Sequence, residues 1–311
     1  MKKYFLPFYS CMLAALIVGC TNSSNVQSND NKETVEIVHR LGKTPVVKQP
    51  TRIVALDIGA VETLHALGVK MVGVPKKFVP DYLADLVNDP NIADVGSVIE
   101  PNFEAINALN PEVILMSTRQ ERFYEELSDI APSIFVGIDN TDYINSFHQV
   151  TGHLASIVGK EAEAKAKMQV LDTKIAAAQE RFKDDPNKAL FLMYNNGRFS
   201  AFGPGSRFAF LFDVLGIKPA LEKTEDSVHG QRVSNEFIAE TNPDYLFIVD
   251  RNAAVLGKVA NKTEVENKLI QQTKAYKNGK VFYLDPNTWY ISAGSLTSVE
   301  MMIKDIEQLF D

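Results

Sequence analysis

Two stretches of this sequence follow one sixteen-residue plan. EAINALNPEVILMSTR occupies positions 104–119 and EFIAETNPDYLFIVDR positions 236–251. Each opens on Glu, carries Asn-Pro-acid six to eight residues later, runs on through apolar residues and closes on Arg. Apolar spacing before Asn-Pro predicts a helix that ends there, and the β-rich run after it predicts a buried strand. Each Arg then falls beyond the carboxyl end of a strand, where open parallel sheets bind their ligands. Repetition of the unit more than a hundred residues apart predicts two similar lobes, with Arg119 and Arg251 on opposite walls of one cleft. Chance remains the alternative, because Asn-Pro is common turn chemistry.

The rest of the chain fits that frame. ETVEIVHRLGKTPVV predicts a strand, a turn and a second strand; TRIVALD, MVGVP, EVILMS and SIFVG predict further strands between helical segments such as GAVETLHALG and NFEAINALN. Such alternation indicates α/β layers with mainly parallel sheets. From Tyr143 to Asp185 the chain holds no proline and is rich in Ala, Lys, Glu and Gln, which predicts one long helix that Gly152 or Gly159 can interrupt. The β/α alternation then resumes. The expected organisation is a leader over 1–19, a tether over 20–34, an α/β lobe over 35–142, a linking helix over 143–185 and a second α/β lobe over 186–311.

The leader and tether come from the N-terminus. MKKYFLPFYSCMLAALIVGC has two lysines, an apolar stretch and small residues before Cys20, which is secretory grammar. The apolar stretch is short for a membrane span. Ile17-Val18-Gly19-Cys20 resembles a bacterial lipobox, implying cleavage before Cys20 and lipidation of its thiol. The two cysteines are Cys11 and Cys20, so an exported chain has no pair for a disulfide. TNSSNVQSNDNKE is polar and suits a flexible tether. A formal charge of −7 argues against nucleic acid or an anionic membrane surface as a bulk partner.

Three further stretches put polar groups in loops. FGPGSRF places Arg207 after a Gly-rich turn, as an anion site or as a solvated residue behind a Ser206 cap. DSVHGQRVS places His229 in a loop, and NTWYIS places Trp289 and Tyr290 after the strand KVFYL, in the same crevice as Arg251 or packed beneath a loop. Enzyme signatures are missing: no G-x-S-x-G, no H-E-x-x-H and no G-x-x-x-x-G-K occurs. His148 and His153 fall on the linking helix as structural residues, and no cluster of zinc-type ligands stands out.

Taken together, the lipobox, RQERFYEEL, FGPGSRF, HGQRVS, NPDYLFIVDRN and NTWYIS resemble the substrate-binding lipoproteins of iron-siderophore ABC importers. Within them the likeness is to the group that binds ferric catecholates of the petrobactin and enterobactin type. The resemblance covers the chain after the tether. It implies two α/β lobes joined by a helix, no catalysis, no intrinsic cofactor and ferric iron bound as a siderophore complex. It implies three cleft arginines, Arg119, Arg207 and Arg251, with Arg122, Arg198 and Arg232 as contenders. It further implies His229 and Tyr290 as direct iron ligands, Trp289 beside them, and Glu104 and Glu236 as docking points for the permease. An extracytoplasmic monomer, held to the membrane by the lipid on Cys20, would deliver the complex to the ABC permease subunits. The alternatives are a haem, cobalamin or ferric hydroxamate binding protein, or an exported α/β hydrolase. For the glutamates, stabilisation of a helix N-terminus is an equally physical role.

Overall fold

The computed structural model describes residues 32–222 and 230–310. The leader over 1–19, Cys20 and most of the tether lie outside the described residues, as does His229. The chain begins with an antiparallel hairpin of β1 (Thr34–His39) and β2 (Gly42–Val47). There follow β3 (Ile53–Ala55), α1 (Ile58–Ala66), β4 (Gly73–Val74), α2 (Ala84–Asn88) and β5 (Ala93–Asp94). Then come α3 (Phe103–Ala108), β6 (Val113–Met116), α4 (Tyr124–Ile130) and β7 (Ser133–Phe135). The strands of this lobe form a five-stranded sheet in the order β5-β4-β3-β6-β7, every pairing parallel.

The linking segment is helical, but it is two helices, α5 (Tyr143–Val158) and α6 (Glu161–Phe182). The division falls at Gly159, whose φ of +68° is the left-handed conformation that caps a helix. A Cβ there would stand 2.7 Å from the Gln49 amide nitrogen. Gly152 stays within α5.

The second lobe contains β8 (Lys188–Asn195), β9 (Arg198–Phe202), β10 (Lys218–Pro219), β11 (Gln231–Val233), α7 (Asn235–Thr241) and β12 (Tyr245–Asp250). It continues with α8 (Arg251–Leu256), α9 (Lys262–Val265), α10 (Lys274–Lys277) and β13 (Val281–Leu284). Its sheet order is β11-β9-β8-β12-β13, with β10 also paired to β8. The β8–β12, β12–β13 and β8–β10 pairings are parallel, while β8–β9 and β9–β11 are antiparallel. The turn between β8 and β9 is Asn196-Gly197, both at positive φ, which gives the twist a two-residue hairpin needs. A last helix, α11 (Leu296–Phe310), packs on α1 of the first lobe and on α6.

Alternation along the strands explains how the layers stack. In β12, Tyr245, Phe247 and Val249 join a core shared with Ile53 and Ala55 of β3 and Val113 and Leu115 of β6. α1, α5, α6 and α11 also contribute to it. The alternate residues Leu246 and Ile248 face a cluster confined to the second lobe, and Val54, Ile114 and Met116 face one confined to the first. Both sheets are thus covered on both faces, as parallel strands require, and the two lobes share one apolar interior.

Candidate functional site

The duplicated unit adopts matching local structure in both copies. Asn102 caps α3, accepting from Ala105 N at 3.0 Å, and Ser234 caps α7, accepting from Phe237 N at 3.2 Å. Glu104 and Glu236 are therefore both second residues of their helices, and both are exposed. Hydrogen bonds from its own N–H and from Ser234 hold the Glu236 carboxyl below its usual range. Asn110 and Asn242, each before Pro, both take φ of +45°, and the strands that follow, β6 and β12, run inside their sheets.

At the strand ends the copies diverge. Arg119 lies in a turn beyond β6 that buried Gln120 fixes: Gln120 accepts from Ser117 N at 2.9 Å and donates to Val98 O. Arg251 is the first residue of α8, whose cap Asp250 accepts from Asn252 N at 2.9 Å and from Ala260 N at 2.6 Å. Arg207 comes from the turn after β9.

The three guanidinium groups meet around Tyr290. Arg251 Nε donates to the Tyr290 hydroxyl at 3.0 Å, and Arg207 donates to Tyr290 O at 3.1 Å. Arg119, from the other lobe, donates to Tyr290 O at 2.9 Å and to Ile291 O at 3.2 Å. Their guanidinium carbons stand 4.4 Å (Arg207), 5.7 Å (Arg119) and 5.9 Å (Arg251) from the Tyr290 ring centre. Among the described residues, none of the three is within ion-pair distance of a carboxylate.

Those charges set the local protonation chemistry. Burial pushes the Tyr290 phenol up, but Arg207, Arg251 and Arg119 together outweigh it and hold the phenol below its ordinary value. Burial, then repulsion from Arg119 and Arg251, lowers Arg207. Asp57, the N-cap of α1, lies on the same cleft wall; burial raises its carboxyl despite a hydrogen bond from Ser117 and the charge of Arg119. The cleft holds about 290 Å³ between walls that include Asp57, Arg119, Asn140, Arg207 and Tyr290. It shares Thr118, Gly137, Ile138 and Asn140 with a neighbouring hollow of about 470 Å³ lined by His39, Arg40, Gln149 and His153.

Arg119, Arg207, Arg251 and Tyr290 thus come together, but Arg251 reaches the Tyr290 hydroxyl without lining the cleft as Arg119 and Arg207 do. Trp289 does not join them. Tyr290 sits on a π-helical turn, Asn287–Ser292, and neighbours on a helical turn diverge by roughly a quarter of a revolution. The Trp289 ring turns into the core, 1% exposed, against Phe191 and Phe210, with its N–H donating to Asp305 at 3.0 Å. Arg122 is exposed over Phe123 and donates to Ile99 O, while Arg198 and Arg232 are exposed on β9 and β11. His148 bonds Asp172 between α5 and α6 at 2.8 Å. Asp57 and Asn140, with Ser117, Thr118 and Ser292, are polar cleft residues that sequence reasoning missed. A strand ending in Asp before a helix, as in IVALDIG, was the available signal for Asp57.

The profile of the family described as periplasmic binding protein matches residues 53–288, most of the chain and both lobes. The chain belongs to that family. It is 39% identical to the petrobactin-binding protein YclQ of Bacillus subtilis strain 168, over 99% of this chain and 98% of that protein. The crystal structure of YclQ superposes with a TM-score of 0.87 over 90% of this chain and 99% of the other. Identity is also 39% with the ferric-anguibactin-binding protein FatB of Vibrio anguillarum, over 95% of this chain and 94% of FatB. The periplasmic catecholate-siderophore binding protein VctP of Vibrio cholerae is 33% identical, with a TM-score of 0.83 over 89% of this chain and all of VctP's. The periplasmic binding fold, with its two α/β lobes, is therefore that of the chain.

Proposed function

We propose that this protein captures a ferric catecholate siderophore in the cleft between its lobes and delivers it to an ABC permease for iron uptake. The observation that carries this reading is the cluster of three guanidinium groups with no carboxylate partner among the described residues. Each stays charged at any relevant pH. A ferric tris-catecholate is a compact trianion, so it supplies the countercharge that no ion-paired carboxylate gives these three groups. At about 4 Å each unit-charge pair contributes roughly 1 kcal/mol in bulk water and about 4 kcal/mol at an effective dielectric near 20. The relatives named for petrobactin, ferric anguibactin and catecholate binding support the same ligand class.

Tyr290 gives the cleft a second capability. Ferric iron is hard and prefers anionic oxygen. A phenol already held below its ordinary value by three cations yields its proton to the metal more readily. With a chelate that leaves iron sites open, Tyr290 becomes a ligand, and His229 is its proposed partner. The protein binds and releases; it does no chemistry on its cargo. Export, lipid attachment through Cys20 and a monomeric receptor belong to the same reading. Among the described residues, no helix is long and apolar enough to cross a membrane.

Titration with ferric catecholate, ferric hydroxamate, haem and cobalamin tests the proposal. Tight, saturable binding of the catecholate complex is expected. Replacing Arg119, Arg207 and Arg251 together by Gln should weaken it at least about a hundredfold, the scale of losing several buried charge contacts. Equal affinity for a neutral hydroxamate complex, or unchanged affinity in the triple variant, would overturn the reading.

A further inference from the structure

We propose that Glu62 is a positioning residue for this site: from the first lobe it holds the turn of the second lobe that carries Tyr290. The inference rests on the reading of Tyr290 as an iron ligand. Glu62 lies on α1, is 0% exposed and does not line the cleft. A carboxylate removed from water costs several kcal/mol unless its oxygens find donors. Three hydroxyls supply them. Tyr82 donates to Oε1, and Ser292 at 2.6 Å and Ser295 donate to Oε2. Both serines belong to the second lobe, more than two hundred residues away in sequence.

The ionised Glu62 carboxylate can only accept, which sets the direction of these bonds. Ser295 caps α11, accepts from Ser298 N at 2.8 Å and Thr297 N at 3.1 Å, and lies 2.9 Å from Ser298 Oγ, which must be the donor of that pair when the Ser295 proton goes to Glu62. Ser298 Oγ in turn accepts from Gly294 N and Ser295 N. Glu62 is therefore the acceptor at the end of a network that begins in α11. Within the clamped segment Ala293 takes φ of +49°, a conformation disfavoured for alanine that persists only where the surroundings impose it. Tyr143 donates to Ala293 O at 2.9 Å, a second restraint from outside the second lobe.

Glu62 differs from the other anchors in one respect. Arg119 and Arg207 hold the carbonyl oxygens of Tyr290 and Ile291, but both also line the cleft, so a bound anion competes for them. Glu62 does not itself line the cleft and keeps its grip when they engage a ligand. Its task is to keep the Tyr290 oxygen in register with the metal while the guanidinium groups are occupied.

The test uses Glu62→Gln, Tyr290→Phe and the double variant in the full-length chain. Gln keeps the shape but replaces one carboxylate oxygen acceptor by an N–H₂ donor, so either Tyr82 or the pair Ser292 and Ser295 loses its acceptor and must turn. The probe is the ferric complex of a bis-catecholate chelator that leaves two iron sites open. Glu62→Gln should weaken its binding about tenfold or more and displace its ligand-to-metal absorption band. Added to Tyr290→Phe it should cost less than about twofold, because residues acting through one another are non-additive. In the ligand-free protein, amide hydrogen exchange over 290–295 should accelerate in Glu62→Gln. Fully additive losses, or no loss in the single variant, would overturn the proposal. If Tyr290→Phe binds like the wild type, the ligand role of the tyrosine fails instead. Exchange over 290–295 then decides for Glu62, and an unchanged rate sinks it.

Discussion

Tyr290 concentrates the chemistry of the molecule in one side chain. Its hydroxyl and carbonyl together receive donors from Arg119, Arg207 and Arg251, residues separated by up to 132 positions from one another, from both lobes. Glu62, deeper in the protein, has the opposite environment. Burial is the largest influence on its carboxyl and raises it above the ordinary 4.5, against the hydroxyls of Ser292, Ser295 and Tyr82 that lower it. A carboxyl raised on folding binds its proton more tightly in the folded state. Its contribution therefore favours folding fully below about pH 4.5 and is lost as pH rises through the folded value. In denaturant unfolding, Glu62→Gln should gain stability relative to the wild type as pH climbs from that point toward neutrality. The relative gain is bounded by about 1.4 kcal/mol per pH unit. Parallel pH profiles for the two proteins would contradict the burial of a titrating carboxylate.

At the scale of elements, the repeated unit is legible because its instructions are local. Asn102 and Ser234 cap, Asn110 and Asn242 turn left-handed before proline, and an apolar run follows. The linking segment shows the limit of such reasoning. Helix propensity favours continuity from Tyr143 to Asp185, yet the first lobe reaches in at Gly159. Gln49 N donates to Ile157 O at 2.7 Å and its side chain fills the space beside the glycine. Gly159→Ala should cost about 1–2 kcal/mol from the positive φ alone, with the Gln49 contact adding to it. Thermal unfolding would show a lowered midpoint, and an unchanged one would mean that the break is not held by this glycine. The Asn196-Gly197 hairpin was equally local and could have been read from the sequence.

Over the whole molecule, the two lobes share one apolar core, and α11 returns from the second lobe to pack on α1 of the first. Docking on the permease is proposed to use one exposed acid per lobe, Glu104 and Glu236, at equivalent places on α3 and α7. Replacing both by Ala should lower iron uptake by whole cells about tenfold or more while leaving ferric catecholate affinity of the purified protein unchanged. Undiminished uptake would leave both acids with helix-terminus stabilisation alone.

The sequence by itself determined the elements, the two α/β halves and which cations stand at strand ends, because caps, turns and apolar periodicity act within a few residues. It marked Arg119, Arg207, Arg251 and Tyr290 through short segments that survive as local structure. Only the tertiary structure decided that Trp289 faces the core while its neighbour faces the cleft, and that the helical link breaks at Gly159. It alone decided that Glu62, an unremarked acid in a helical run, meets two serines of the opposite lobe. Side-chain direction and long-range pairing depend on what the rest of the chain brings alongside, and no window of neighbouring residues contains that information.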